Sequence, residues 1–201
     1  IRQRHICGEG ETLTSIASEA ARLAMKRAGV TASELDLIIL GTASPDRLLP
    51  ATAVEIQAEL GATRAVAFDI DAACSGWLYG IQVAEGLMAT GNYETILVIG
   101  GEQLSRIVNW KDRNTCVLFG DGAGAAILTA KNPDDNDPSG LLSSVMASDG
   151  RLTDILSVPG LFFLCRFSGY NFFGTTALDV DSPSSKFGRK AYILSTLTNS
   201  E

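Results

Sequence analysis

The sequence predicts a layered α/β fold with much parallel sheet. Short apolar, strand-like runs alternate with helix-like runs over residues 1–150. Such alternation is the signature of βαβ units, whose strands lie buried between helices. Glycines punctuate the rhythm, closing helix after helix. A third helix-like run is apolar nearly all round: from Trp77 to Ala89 its polar side chains are Tyr79, Gln82 and Glu85. A helix of that kind is expected to be buried on most sides, so it is expected to lie between layers rather than on an outer face.

The elements follow in order. Ile16, Ala20, Leu23 and Ala24 recur at helical spacing within a helix expected over 12–28, with Gly29 just beyond it. Residues 35–40 read as a strand ended by Gly41, and 51–60 as a second helix, started by Pro50 and stopped by Gly61. Residues 65–70 read as a strand, 74–90 as the third helix, and 95–99 as a strand entering Gly100-Gly101. Residues 116–119 and 125–129 look like strands flanking a glycine-rich segment, with another strand expected over 141–146. Thr31-Ala32-Ser33-Glu34 fits a capping box, a structural device without chemistry. The acidic run at 134–137 lies between Pro133 and Pro138 and reads as a solvated turn.

The character changes near Pro159. Residues 161–201 hold more than half of the aromatics, and their basic residues outnumber their acidic ones. Residues 161–164 suggest one strand and 182–185 a loop, but the βα rhythm does not continue. The expected division is a unit over 1–159 and an unassigned tail over 160–201. The chain starts at Ile1 without an initiator Met, so an incomplete N-terminus is expected.

With 201 residues the chain can enclose a sizeable core. Its formal charge of -7 argues against a nucleic-acid binder, which needs a basic patch. No apolar run is long enough to span a bilayer. Cys7, Cys74, Cys116 and Cys165 show no CxxC spacing, which disfavours a zinc site and a disulfide framework and suits a reducing, cytoplasmic setting. No metal site is expected around a single histidine.

Asp69-Ile70-Asp71-Ala72-Ala73-Cys74-Ser75-Gly76-Trp77 carries the chemistry. A strand delivers Cys74 to the start of a long helix, where unpaired N–H groups and the helix dipole favour a thiolate. The plainer reading is a buried cysteine acting as a small hydrophobe. Gly120-Asp121-Gly122-Ala123-Gly124-Ala125 suggests a phosphate cradle, yet the run that follows is strand-like rather than helical. A tight turn or bulge with close backbone approach is the favoured reading. His5 is a remote candidate base for Cys74, with a surface role favoured. Arg113, near Trp110 and Lys111, pairs cationic and aromatic groups as a phosphorylated nucleotide would require, against the plain reading of a solvated turn.

Together these segments resemble the β-ketoacyl-[acyl-carrier-protein] synthase III family of the thiolase superfamily. The resemblance is carried by 1–5, by Gly41-Thr42-Ala43-Ser44-Pro45, by 68–76, and by Asp112-Arg113-Asn114-Thr115 followed by 119–125. It extends from Ile1 to about Pro159. It implies a layered α-β-α-β-α thiolase fold, of which this chain would hold mainly the N-terminal half. It implies that Cys74 takes an acyl group from acyl-CoA, typically acetyl-CoA, before decarboxylative condensation with malonyl-[acyl-carrier protein]. By the same resemblance the Cys74 N–H would stabilise the oxyanion, and Arg113 would face the adenine end of CoA. Leu49 would be a dimer-loop residue reaching the partner's acyl pocket, and Leu104 and Phe119 would contact substrate. No cofactor is implied beyond the CoA thioester as substrate. The implied partners are acyl carrier protein and a second copy of the chain.

The family's decarboxylating histidine and asparagine belong to its C-terminal half, which nothing after Pro159 matches. The resemblance therefore implies a chain that accepts an acyl group without completing condensation. Other thiolase-superfamily acyl-CoA enzymes, a polyketide-priming synthase, a nucleotide-binding oxidoreductase using Gly120–Ala125, and a non-catalytic remnant stay open as alternatives.

Overall fold

The computed structural model describes residues 1–130, 140–158, 166–167 and 189–194. Helix α1 spans Leu13–Ala28, strand β1 Leu37–Gly41, helix α2 Thr52–Leu60 and strand β2 Val66–Ile70. Helix α3 spans Gly76–Met88, followed by β3 (Thr95–Gln103) and β4 (Asp121–Ala130). Short strands β5 (Leu156–Ser157) and β6 (Arg166–Phe167) pair with each other, and β7 (Arg189–Leu194) pairs antiparallel with β4. The main sheet has the order β2-β1-β3-β4-β7. β1 is parallel to both β2 and β3, and β4 is antiparallel to β3.

The ends of α1 follow from its sequence. Thr12 and Ser15 cap it reciprocally, and Gly29 closes it with a left-handed φ of 68°. Gly61 closes α2 in the same way, at φ 70°.

Strand alternation sorts the core into two layers. Ile38, Leu40, Leu97, Ile99, Ala125 and Ile127 face α1 and α2, and pack with Leu13, Ile16, Ala17 and Ile56. Leu37, Ile39, Ile96, Val98, Ala126 and Leu128 face α3, and pack with Ile81, Ala84 and Met88. The described residues thus build three successive layers: α1 with α2, the sheet, and α3. β1 lies between parallel neighbours whose connecting helices, α2 and α3, cover opposite faces. A crossover from β1 out to β2 and a return from β2 past β1 to β3 run in opposite directions along the sheet, which by the right-handed rule puts α2 and α3 on opposite faces, and a crevice opens at the strand C-termini where the connections diverge.

Several expectations are corrected. Residues 116–119 are turns rather than strand. The Cys116 N–H donates to the Asp112 carbonyl at 2.9 Å and the Leu118 N–H to that of Thr115 at 3.0 Å, so these donors are used locally. Gly120–Ala125 is neither a cradle nor a tight turn, since all but Gly120 lie inside the ten-residue β4. Residues 141–146 form no strand; Leu141 instead plugs the α3-side cluster. Cys74 precedes α3 in a single 3₁₀ turn, Ala73–Ser75. Among the described residues α3 is covered mainly along one face, through Gly76, Gly80, Ile81, Ala84 and Met88. The possible strand at 161–164 and the loop at 182–185 lie outside the described residues.

Carboxylates tie the layers together at the strand ends. The Thr52 and Ala53 N–H groups, at the start of α2, each donate to Asp69 at 2.8 Å. At the start of α1, the Leu13 and Thr14 N–H groups donate to Asp46 at 3.1 and 2.7 Å. Arg106 adds an ion pair to Asp46 at 3.1 Å. Burial acts to raise the Asp46 pKa, but the bonds from Thr14 and Leu13, with Arg106, outweigh it and hold the carboxyl below its ordinary 3.8. A carboxylate depressed in the folded state stabilises the protein above its unfolded pKa, and that contribution disappears as pH falls through the folded value. The gap in melting temperature between the parent chain and Asp46→Asn is therefore expected to be widest near neutral pH and to close below about pH 4. Melting curves over a pH series check this.

The seat of α3 depends on missing side chains. A Cβ on Gly41 would lie 2.4 Å from the Gly76 carbonyl carbon, and one on Gly100 2.9 Å from the Trp77 Cβ. Both obstacles are backbone or the root of a packed side chain, so neither can yield cheaply. Gly41→Ala is expected to destabilise by about 1–3 kcal/mol through overpacking. Gly122→Ala, whose Cβ meets nothing within 4 Å, is expected to leave the thermal midpoint nearly unchanged. Melts of the two variants, run side by side, test the contrast.

Candidate active site

Cys74 is exposed at the mouth of a cleft of about 330 Å³, at the C-terminal ends of β1 and β3. The floor is a row of glycines in register: Gly41 pairs with Gly100, and Gly100 with Gly124. One step on, Glu102 pairs with Gly122. All of them lie on the face that carries α3, because Ile39, Val98 and Ala126, two residues away on each strand, belong to the α3-side cluster. Cys74 and Trp77 form the opposite wall, with Trp77 seated on Gly100.

The turn that presents the thiol is strained. Ala73 has φ +44°, in the left-handed region that a residue with a Cβ rarely adopts. The strain is maintained because β2 ends and α3 begins within a few residues, with Gly76 in contact with Gly41. A chain leaving the sheet must turn sharply to enter a helix seated that close. Observed strain beside a candidate nucleophile is a pointer to function.

Glu102 is the charged side chain on the cleft wall. The Ala43 N–H donates to it at 2.9 Å and the Thr42 hydroxyl at 3.3 Å, and the Ser44 hydroxyl donates to the same carboxylate. Ser44 in turn accepts the Gln103 N–H at 2.8 Å. Burial pushes the Glu102 carboxyl up; the three bonds offset part of that, and Asp71 pushes it further up. Arg106 grips the far side of the same loop through the Ser44 and Pro45 carbonyls, at 2.8 and 3.2 Å.

The other sequence candidates lie elsewhere. Leu49 is 83% exposed, beyond the cleft lining. Arg113 is exposed in the turns at 111–118, near the half-exposed Trp110. Leu104 and Phe119 are half-buried and lie outside the lining. His5 lines a separate cavity of about 30 Å³ with Cys7 and Asp121, and its carbonyl accepts the Asp121 N–H at 2.8 Å. Cys7 is unsuited to attack: burial, reinforced by Asp121, pushes its thiol up to about 11. Cys165 lies outside the described residues. Glu102 and the in-register glycine row escaped the sequence reading. Gly100 and Glu102 stand two apart in the strand-like run, which places both on one face, but the pairing with Gly41 and Gly124 is visible only in the sheet.

The family model of 3-oxoacyl-[acyl-carrier-protein] synthase III matches residues 68–150, which span the Cys74 turn, α3, β3 and β4. β-Ketoacyl-[acyl-carrier-protein] synthase III of Rhodospirillum centenum is 50% identical over 160 residues, covering 80% of this chain and 50% of that protein. Over this stretch the chain matches the synthase III family. The Acidiphilium cryptum relative is 51% identical, again over 160 residues, which are 80% of this chain and 49% of that protein. The crystal structure of the Aquifex aeolicus synthase III superposes with a TM-score of 0.75 at 43% identity, covering 82% of this chain and 51% of that one. The Pseudomonas aeruginosa synthase III gives 0.76 at 36% identity, over 83% and 52%. The chain thus spans about half the length of the curated relatives it matches. The expected thiolase-like α/β class is borne out by these superpositions.

The strain at Ala73 can be measured. Replacing Ala73 by Gly removes the Cβ penalty, about 1–2 kcal/mol in the left-handed region, against an entropic cost of fixing glycine of about 0.5–1 kcal/mol. The net expectation is a thermal midpoint equal to or above that of the parent. A fall of several degrees in a denaturation scan would show that Ala73 is not strained.

Proposed function

We propose that this chain carries the acyl-accepting half of a β-ketoacyl-[acyl-carrier-protein] synthase III. The observation that carries the reading is the placement of Cys74, an exposed thiol on a strained turn over a glycine-floored cleft. The synthase III relatives support acyl-CoA as its donor. The thiolate sulfur attacks the thioester carbonyl of acyl-CoA. A new carbon–sulfur bond forms to Cys74, the bond to CoA breaks, and CoA leaves as a thiol after taking up a proton. Splitting acyl transfer through a covalent intermediate is ordinary nucleophilic catalysis. In this reading the Cys74 N–H, in the turn that leads into α3, would serve as an oxyanion donor.

The second half-reaction, condensation with malonyl-[acyl-carrier protein], belongs to the proposal for the complete enzyme. The histidine in this sequence is His5, which lines the smaller cavity away from Cys74. The cleft residues therefore support acylation and supply no imidazole for decarboxylation. Arg113 as a contact for CoA, Leu49 as a limit on primer length, Leu104 and Phe119 as substrate contacts, acyl carrier protein as partner, and a homodimeric cytoplasmic enzyme form part of the same proposal. Among the described residues, no helix is long and apolar enough to cross a membrane.

A nucleotide-binding oxidoreductase is disfavoured, because Gly120–Ala125 runs on within strand β4 to Ala130 rather than directly into a helix that could receive a phosphate. Incubation with acetyl-CoA should add one acetyl group to the intact mass, and Cys74→Ala should abolish it. A retained adduct in Cys74→Ala, or none in the parent, would refute Cys74 as acyl acceptor.

A further inference from the structure

We infer that Glu102 is a positioning residue: it clamps the loop 42–44 that supports both ends of the Cys74 turn, and so aims the thiol for acyl transfer. This rests on the reading of Cys74 as the acyl acceptor.

Both ends of the turn lean on two consecutive residues. Before it, the Ile70 carbonyl accepts the Thr42 N–H at 3.1 Å. After it, a Cβ on Gly76 would lie 3.0 Å from the Gly41 Cα and 3.6 Å from the Thr42 nitrogen. Between these supports stands Ala73, at φ +44°. A strained conformation persists only where its surroundings over-determine it. The strand ladder alone does not supply that restraint. The pairing of β1 with β3 ends at Gly41 and Gly100, whereas β3 runs on to Gln103. Thr42 has therefore left the sheet, and Glu102 reaches it from the overhanging end of β3. The Ala43 N–H and the Thr42 and Ser44 hydroxyls all donate to the Glu102 carboxyl group. The Ser44 N–H donates to the Thr42 hydroxyl at 3.1 Å, so the three residues are held as one unit.

This role needs polar atoms in place rather than a charge. A carboxylic acid or an amide can serve the same partners, since hydroxyls accept hydrogen bonds as well as donate them. A turn displaced by about 1 Å matters for acyl transfer, which needs the sulfur, the carbonyl carbon and the oxyanion donor aligned together. Alkylation of an exposed thiol needs the sulfur alone.

The test compares two reagents on the full chain, with peptide mass analysis scoring Cys74. With p-nitrophenyl acetate, the thiolate sulfur bonds to the carbonyl carbon and p-nitrophenolate leaves. With iodoacetamide, the sulfur bonds to the methylene carbon and iodide leaves. Both need the same thiolate, so the ratio of their rates cancels the thiol pKa and its exposure. In Glu102→Met, which keeps the length and removes the carboxyl group, acylation is expected to fall about tenfold while alkylation stays within about twofold of the parent. Glu102→Gln should recover most of the loss, because its amide oxygen still accepts the Ala43 N–H. Ser44→Ala removes a partner from the other side of the clamp, should lower the ratio in the same direction, and decides the matter where Glu102→Met fails to fold. A folded Glu102→Met with the parent ratio overturns the inference, as does one that slows both reactions alike. So does Glu102→Gln as slow as Glu102→Met, or a parent ratio in Ser44→Ala. p-Nitrophenyl acetate needs no CoA site, so the result is separable from the acetyl-CoA experiment. A Glu102-dependent ratio without an adduct from acetyl-CoA sinks the acyl-CoA reading alone, and an adduct with an unchanged ratio sinks this inference alone.

Discussion

The contact on which the rest depends is that of helix α3 with the ends of β1 and β3. Gly41 and Gly76 let backbone meet backbone there, with a Cβ on Gly41 placed only 2.4 Å from its neighbour, and Gly100 leaves room for the Trp77 side chain. That approach sets the height of the helix over the sheet. It also sets the geometry of the turn before it, since β2 and α3 are joined by only a few residues. The left-handed Ala73 and the exposed Cys74 follow from a chain that must climb from sheet to helix in that distance. The glycines that admit the helix are also those that leave the cleft beside it open. Packing and chemistry here share one cause.

Around this contact the chain is braced by carboxylates that accept backbone N–H groups from distant segments. Asp69 holds the start of α2, Asp46 the start of α1, and Asp121 joins Cys7 to Ser105. Each fills donors that a helix start or a strand exit leaves unpaired. Glu102 follows the same pattern with the loop 42–44 but differs in facing the cleft. A structural habit, repeated four times near the strand ends, thus places one of its members on the wall of the Cys74 cleft.

Much of this fold was legible in the sequence. The first three helices and three strands fall within a few residues of their expected bounds, because hydrophobic spacing and terminal glycines report local constraints. The misreadings share a physical origin. Residues 116–119 have the apolar, β-branched look of a strand, but their donors are consumed by Asp112 and Thr115. Gly120–Ala125 looks like a turn because glycine is rare inside strands, yet all but Gly120 pair with β3 as the start of β4, a pairing that only the sheet reveals. Of the site, Cys74 was visible from its strand-to-helix setting. Glu102 was not, because its partners, Thr42, Ala43 and Ser44, lie some sixty residues away in the chain.

The pairing of β3 with β4 has a consequence for how the molecule is assembled. Along β4 glycines alternate with alanines, and the register sets Gly122 and Gly124 on the cleft side and Ala123 and Ala125 on the other. Side chains swap faces when a strand slips by a single residue. A molecule zipped one step out would therefore line its cleft with methyl groups where the correct one offers only hydrogens. The same slip would exchange the faces of Ile127 and Leu128, buried in opposite layers, so the large residues at the far end of β4 hold the register that keeps the entrance to the thiol open.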